Sequence, residues 1–430
     1  MGVAGATDRP PGALARLLGQ RQFRLLWAGT TVSLLGDGML LVALAWQVYA
    51  ISNAPTALSA VLLAMSVPHV LLLLAGGVVS DRFDRRRVML AADLVRGAAL
   101  AALAALALSG GVRVWQVAAL AVLYGAGSAF FGPAFDAIVP ELVPGELLVA
   151  ANSLEQLVRP AALRLAGPAL GGVVVAAVGP GWAFAADAAT FGVSAWALAR
   201  MVRVGAPAPP APGERAASAL AELREGFRFV RRHVWLWGTF LSATIAYLLF
   251  LGPTEVLLPF VVKNRLGGGA GELGLVYAMG GLGAIAAAVV MAHRGDVRRF
   301  MTFVYATWAV ATLCVAGYGL AGRRWQVVAA AFLFNALETA GTVVWATAKQ
   351  RLVPLALLGR VASYDWFISI ALLPLSYGLT GPVAALVGAR ATLVGAGLLG
   401  GATTIAFLFL PGMRAVERQK AGSQPTLSWR

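Results

Sequence analysis

Runs of about 20 consecutive apolar residues recur along nearly the whole chain, each long enough to cross the ~30 Å hydrocarbon core of a bilayer as a helix. No other feature constrains the fold so tightly. In lipid the backbone N–H and C=O groups must be satisfied within the segment, so such runs form helices rather than open strands. A mean hydropathy of +0.78 and 59% hydrophobic residues over 430 positions leave too little polar surface for soluble domains. Turn chemistry separates the runs, as at Asn53-Ala54-Pro55, Ser109-Gly110-Gly111, Gly179-Pro180-Gly181 and Gly267-Gly268-Gly269. The pattern predicts an all-α membrane protein of twelve transmembrane helices, at 23–51, 56–79, 88–109, 114–139, 151–178, 181–202, 235–262, 271–292, 300–320, 325–348, 362–387 and 391–411.

Charge orients these helices. Lys and Arg are retained on the cytoplasmic face, and 25 of the 34 fall on one side of the predicted spans, 6 on the other, with Arg96, Arg159 and Arg164 inside helices. Both termini are therefore expected in the cytoplasm, in a multi-pass protein of the cell membrane. The net charge of +15 and pI near 11.0 do not point to nucleic acid, because the arginines punctuate helix ends instead of forming one stripe among exposed aromatics. They suit anchoring to anionic lipid. The lone Cys314 excludes an intrachain disulfide and a cysteine metal site.

The chain divides into a cytoplasmic segment 1–22, read as uncleaved, a six-helix half 23–202, a linker 203–234, a second six-helix half 235–412 and a tail 413–430. The linker opens with "VGAPAPPAPGE", which its prolines extend. An amphipathic helix follows, with Leu220, Leu223, Phe227 and Val230 set against Arg224, Arg228, Arg231 and Arg232. The halves look duplicated. "LVPGELLVAANS" at 142–153 matches "LVPLALLGRVAS" at 352–363 with an offset of 210, which also sets Glu155 opposite Asp365. Gly167-Pro168 recurs as Gly381-Pro382. Parallel six-helix repeats joined by a long loop are a transporter architecture, with the site between the halves.

"GGVVSDRFDRRRVML" at 76–90 packs six charges into seven positions. This stretch resembles the loop 2–3 signature of the major facilitator superfamily, G-x-x-x-D-R-x-G-R-R, through Gly77, Asp81, Arg82, Arg85 and Arg86, with Asp84 where the family usually has Gly. "LAGPALGG" resembles that family's helix 5 antiporter signature through Gly167, Pro168, Gly171 and Gly172, with Leu163 replacing its first Gly. "HRGDVRRF" at 293–300 looks like a decayed second copy of the loop signature. The chain as a whole is similar to the bacterial drug and siderophore efflux branch, that of enterobactin and macrolide exporters. The resemblance implies twelve helices in two pseudo-symmetric halves and a cytoplasmic latch that acts when the cavity opens outward. In that latch Arg85 would pair with Asp136 and Asp81 would meet the positive N-terminal end of helix 11. The small residues of helix 5 would let it bend and seal the cytoplasmic half.

Ionisable residues deep in membrane helices mark pathways or hydrogen bonds between helices. At ~1.5 Å of rise per residue, Asp37 and Glu338 both lie near mid-membrane. The resemblance sets helices 1, 4, 7 and 10 around the cavity, which makes Asp37, Glu338 and Glu255 candidates for proton coupling or substrate contact. A carboxylate shielded from water holds its proton more tightly, which is the physical basis of such coupling. Asp187 and Glu255 are expected nearer the outer mouth. Asp93 and Arg96 should pair within helix 3; Arg159 and Arg164 are either snorkelling or an anion site, and His69 a relay or a packing residue. Gly281, Gly283 and Ala286 fit a dinucleotide pattern, but no strand precedes them.

The expected function is secondary export of a small amphiphilic molecule in exchange for protons, by a monomer in lipid, with no cofactor, metal or nucleic acid. Uptake or lipid flipping on the same fold, or a non-transporting sensor, are the alternatives. An intramembrane enzyme would need a convergent nucleophile, base or metal set, which three scattered histidines and one cysteine do not supply.

Overall fold

The computed structural model describes residues 13–202, 224–295 and 297–417, and nearly all of these are helical. A short helix, Ala13–Gly19, precedes the membrane helices. The first half comprises α1 (Arg21–Ile51), α2 (Pro55–Arg82), α3 (Arg85–Leu108), α4 (Val114–Leu142), α5 (Gly145–Val178) and α6 (Pro180–Arg200). The second comprises α7 (Val234–Arg265), α8 (Ala270–Arg294), α9 (Phe300–Leu320), α10 (Arg324–Leu352), α11 (Leu357–Val387) and α12 (Ala389–Leu408). Eleven of the twelve are long and apolar enough to cross a membrane; α6, with Asp187 inside it, falls short.

The duplication appears in packing and in backbone. In the first half α2 packs on α4 and both α1 and α3 on α6; in the second α8 packs on α10 and both α7 and α9 on α12. The repeated Val-Pro adopts the same conformation twice. Val143 and Pro144 sit at φ/ψ of −129/143 and −57/147, Val353 and Pro354 at −96/130 and −54/138. Each extended Val ends one helix and each Pro opens the next, as the ring's fixed φ allows. Helical regularity also fails at matching places. A π-helical stretch, Ala161–Ala166, interrupts α5 between Pro160 and Pro168, and α11 breaks at Leu372, two residues before Pro374.

Several expected boundaries shift. The charged stretch between α2 and α3 is a turn of two residues, Phe83 and Asp84, not an extended loop. Asp81 and Arg82 complete α2, and Arg85, Arg86 and Arg87 form the first turn of α3. Long charged side chains reach water from helices that run past the hydrocarbon edge. α5 and α11 begin earlier than hydropathy predicts, because the polar turns after Pro144 and Pro354 are helical too. Of the amphipathic linker helix, the part from Arg224 to Arg232 is helical; it lies on α11, Arg360 bonding Glu225 at 2.5 Å and the Phe227 and Tyr364 rings 6.2 Å apart. Residues 203–223 of the linker with Leu220 and Leu223, residues 1–12, Asp296 of the decayed motif, and the tail beyond 417 lie outside the described residues.

The hydrogen bonds joining the halves cluster at the face opposite the arginine-rich one. Tyr49 of α1 donates to the Val256 carbonyl of α7 at 2.7 Å, and Lys263 donates to the Tyr49 carbonyl. Asn53 donates to Asn264 at 2.6 Å, while Ser59 of α2 bonds the Tyr377 carbonyl and accepts from the Gly381 N–H of α11 at 2.9 Å. Toward the arginine-rich face α2 stands clear, with Leu71 73% and Leu74 69% exposed. The halves thus meet at one end and part at the other.

Candidate functional site

A cavity of about 640 Å³ occupies the space between the halves. It runs from Glu255 and Tyr277 near the sealed end to Lys349 and Asp365 near the arginine-rich face. The second half supplies most of the wall. Aromatic side chains dominate it: Tyr247 and Phe250 of α7, Trp308 of α9, Phe334 and Trp345 of α10. The first half contributes Leu41 of α1 and Arg164 and Pro168 of α5. Three carboxylates face this apolar surface. Glu338 accepts from the Thr342 hydroxyl at 3.0 Å. Asp365 is bonded by Lys349 and by the Trp345 indole N–H at 3.0 Å. Glu255, toward the sealed end, lines the cavity together with Arg164.

Asp37 lies just outside this chamber. It lines a smaller adjoining space of about 200 Å³ that shares Leu41, Glu255 and Tyr277 with the main cavity. The Tyr124 hydroxyl of α4 donates to Asp37. Behind Asp37 stands a buried ionic cluster. Asp93 and Arg96 of α3, 0% and 5% exposed, pair at 2.5 Å, and the guanidinium lies 4.5 and 4.4 Å from the ring centres of Phe131 and Phe191. Asp187 of α6 is also fully buried and accepts from Thr190 at 3.1 Å. A Cβ on Gly36 would overlap Asp187 Oδ1, so the glycine beside Asp37 is what lets α6 come so near. Three carboxylates on three helices, Asp37, Asp93 and Asp187, thus lie near one arginine, Arg96, which bonds Asp93.

These placements revise several expectations. Arg85 bonds Glu141 and the Ala137 carbonyl, at 3.1 Å for the latter, and not Asp136. Asp136 is exposed and lies near Arg159 and Glu155 of α5. Glu141 wins because it stands one helical turn beyond Ala137 on the side that meets α3. Asp81, exposed, lies 4.0 Å from Arg85. Gly77 meets nothing within 4 Å; the close approach of α2 to α4 is made by Gly76, where a Cβ would run into the Ala129 carbonyl. Asp187 is level with Asp37 rather than near the outer mouth. Arg86 donates to the Leu198 and Ala199 carbonyls at 2.5 and 2.8 Å, closing the end of α6, and Arg82 is exposed. Asp84 finds its reason: its carboxylate accepts from the Arg86 and Arg87 N–H groups at 3.0 and 3.4 Å, the N-cap of α3. His69 is half-buried on α2.

The helix 5 motif is a joint between helices of both halves. A Cβ on Gly167 would fall 2.6 Å from Gly38 Cα of α1, one on Gly171 2.7 Å from Met39 Cα, and one on Gly172 2.9 Å from Gly274 Cα of α8. Pro168 lies against Gly38 and presents its carbonyl to Gly274. Sequence reasoning did not find Tyr124 or the Lys349–Asp365 pair. Tyr124 was detectable as a phenol ten residues into an apolar helix, ~15 Å from its start and so at the depth of Asp37.

Known proteins bear on this geometry. The profile of the family described as transmembrane secretion effector matches residues 12–428. The multidrug efflux pump Tap of Mycolicibacterium fortuitum is 29% identical over 91% of this chain and 96% of its own length. Macrolide efflux protein A of Streptococcus pyogenes is 27% identical over 57% of this chain and 60% of its own. Among solved structures, the nucleoside transporter NupG superposes with a TM-score of 0.66 at 10% identity, covering 94% of this chain and 100% of that one. A bacterial homologue of the iron transporter ferroportin, in its inward-facing state, gives 0.67 at 16%, covering 91% and 99%. At such identities the structures speak for the fold alone.

Proposed function

The chain belongs to the transmembrane secretion effector family of the major facilitator superfamily, and from that premise we propose that it exports a small amphiphilic molecule from the cytoplasm in exchange for protons. It is a membrane-embedded transporter, not an enzyme. The efflux activities named for Tap and for macrolide efflux protein A support export over uptake. The reading takes the arginine-rich face as cytoplasmic. The chamber is then open to the cytoplasm, and the Tyr49–Val256 and Asn53–Asn264 contacts form the outer gate.

One observation carries the proposal. An aromatic chamber open to one face adjoins a half-buried carboxylate, Asp37, that accepts from the Tyr124 hydroxyl and lies beside the buried Asp93–Arg96 pair of its own half. Substrate occupies the chamber by burying apolar surface against Phe250, Trp308 and Phe334. Asp37 takes its proton from outside when the halves rock the other way, and releases it inward to reset the carrier. Glu255 and Glu338, on the substrate side, contact the polar part of the molecule. In the opposite state the crevice beside Leu71 and Gly77 closes, and the Asp81–Arg85–Glu141 group braces it, with Asp81 toward the start of α11. The helix 5 glycines are the pivot.

The test is accumulation of a fluorescent amphiphile in inside-out vesicles carrying an imposed pH gradient, acid inside. The proposal expects accumulation that collapses with a protonophore. Accumulation indifferent to the protonophore contradicts proton coupling, and none in either condition contradicts export of this class.

A further inference from the structure

Off the central chamber, a recess of about 40 Å³ opens among Tyr247 and Phe250 of α7, Trp308 of α9, and Phe334 and Glu338 of α10. The same five residues line the chamber, so the recess is a side pocket of it. Its rings form a continuous wall. Tyr247 and Phe250 stand 5.6 Å apart between ring centres, and Phe250 and Phe334 5.7 Å apart, edge to face. The Trp308 indole N–H donates to the Glu338 carbonyl at 3.3 Å and the Thr312 hydroxyl to the Trp308 carbonyl at 2.8 Å, so both donors are taken by helix backbone. What remains is a carboxylate among ring faces. The Glu338 side chain accepts from the Thr342 hydroxyl at 3.0 Å and has no ion pair among the described residues. It lies well inside α10, ~21 Å by helical rise from the end at Leu352 and so away from the cations of the loops. The two cations lining the chamber are placed elsewhere: Lys349 bonds Asp365, and Arg164, on α5, is not among the residues of the recess. The first half shows the same chemistry completed from within. There the Arg96 guanidinium lies 4.5 and 4.4 Å from the ring centres of Phe131 and Phe191 and pairs with Asp93. In the second half the rings and the carboxylate are present, and among the described residues no cation joins them.

We propose that the recess is a subsite for the ammonium head of the transported molecule, whose positive charge pairs with Glu338 and rests against the faces of Tyr247, Trp308 and Phe334. Its size narrows the class. About 40 Å³ is some three times the ~10–15 Å³ that one water needs, room for a methylated nitrogen while the body of the molecule stays in the chamber. A primary ammonium brings three N–H donors to a recess with one carboxylate, so a tertiary or quaternary ammonium is the better match. The inference deepens the export reading and rests on it for calling this a substrate site.

Equilibrium binding to the purified full-length protein tests it without transport. The probes are tritiated benzyltrimethylammonium and neopentylbenzene, which has the same shape with carbon in place of nitrogen. Wild type should bind the cation saturably and about tenfold more tightly than the hydrocarbon. Glu338→Gln, which keeps an acceptor for the Thr342 hydroxyl, should lose about tenfold in affinity for the cation and none for the hydrocarbon. Phe334→Leu, which keeps apolar bulk but no ring face, should lose about threefold for the cation, and it serves if the Gln variant does not fold. Equal affinity of wild type for the two probes, or undiminished cation binding by a folded variant of either kind, would overturn the proposal. Absence of saturable cation binding to wild type would also overturn it, while export of a neutral amphiphile is decided separately by the vesicle assay.

Discussion

Asp84 shows how much one side chain settles at a helix junction. The superfamily signature favours Gly at this position, and a Gly would make the turn without strain. Asp84 instead accepts two backbone N–H groups that α3 would otherwise leave unpaired beside three arginines. Replacing it with Ala should cost about 1 kcal/mol, and with Gly a few tenths, read as a fall in melting temperature of the purified protein. An Ala variant as stable as wild type would contradict the capping role. The partner of Arg85 can be separated in the same way. Glu141→Gln should destabilise the protein and Asp136→Asn should not, because Arg85 is 16% exposed at its side chain and bonds only the former. Equal effects of the two variants would restore Asp136 to the pair.

Among the elements, α5 has the least freedom. Its glycines touch α1 and α8 backbone to backbone, so a side chain there meets main chain that cannot swing aside. Gly167→Val should therefore abolish folding or leave a protein without transport. Gly77→Val should fold with unchanged melting temperature yet transport poorly, because its space is empty in this state and is filled only when the crevice shuts. Equal transport by Gly77→Val and wild type would show that the crevice does not close there. The helices themselves were legible because twelve apolar runs leave no other solution in lipid, and the Val-Pro repeat located the second half. Three features were not. The π-helical stretch of α5 arises from two prolines acting on one helix in three dimensions. The cluster of Asp37, Asp93, Arg96, Tyr124 and Asp187 joins positions as much as 150 residues apart in sequence. The choice between Glu141 and Asp136 depends on helix rotation, which hydropathy does not fix.

At the scale of the whole molecule, the two halves divide the work. The second half holds most of the aromatic chamber; the first holds the buried ionic cluster, and α1 and α5 connect them. Hydrogen bonds between α1–α2 and α7–α11 join the halves at one face, and the proposed alternation of the cavity requires that they break. A short bifunctional cross-linker joining Asn53→Cys to Asn264→Cys, with Cys314→Ser, should arrest transport while leaving binding from the arginine-rich side intact. Continued turnover of the linked protein would contradict the gate. The central claim, that Asp37 couples protons to export, is tested most directly by Asp37→Asn, which keeps an acceptor for the Tyr124 hydroxyl but holds no exchangeable carboxyl proton. Two activities of the reconstituted variant are compared: accumulation driven by a pH gradient, and exchange of labelled for unlabelled substrate without one. Our account predicts that the variant loses gradient-driven accumulation and keeps exchange near the wild-type rate; full gradient-driven accumulation by Asp37→Asn would contradict it.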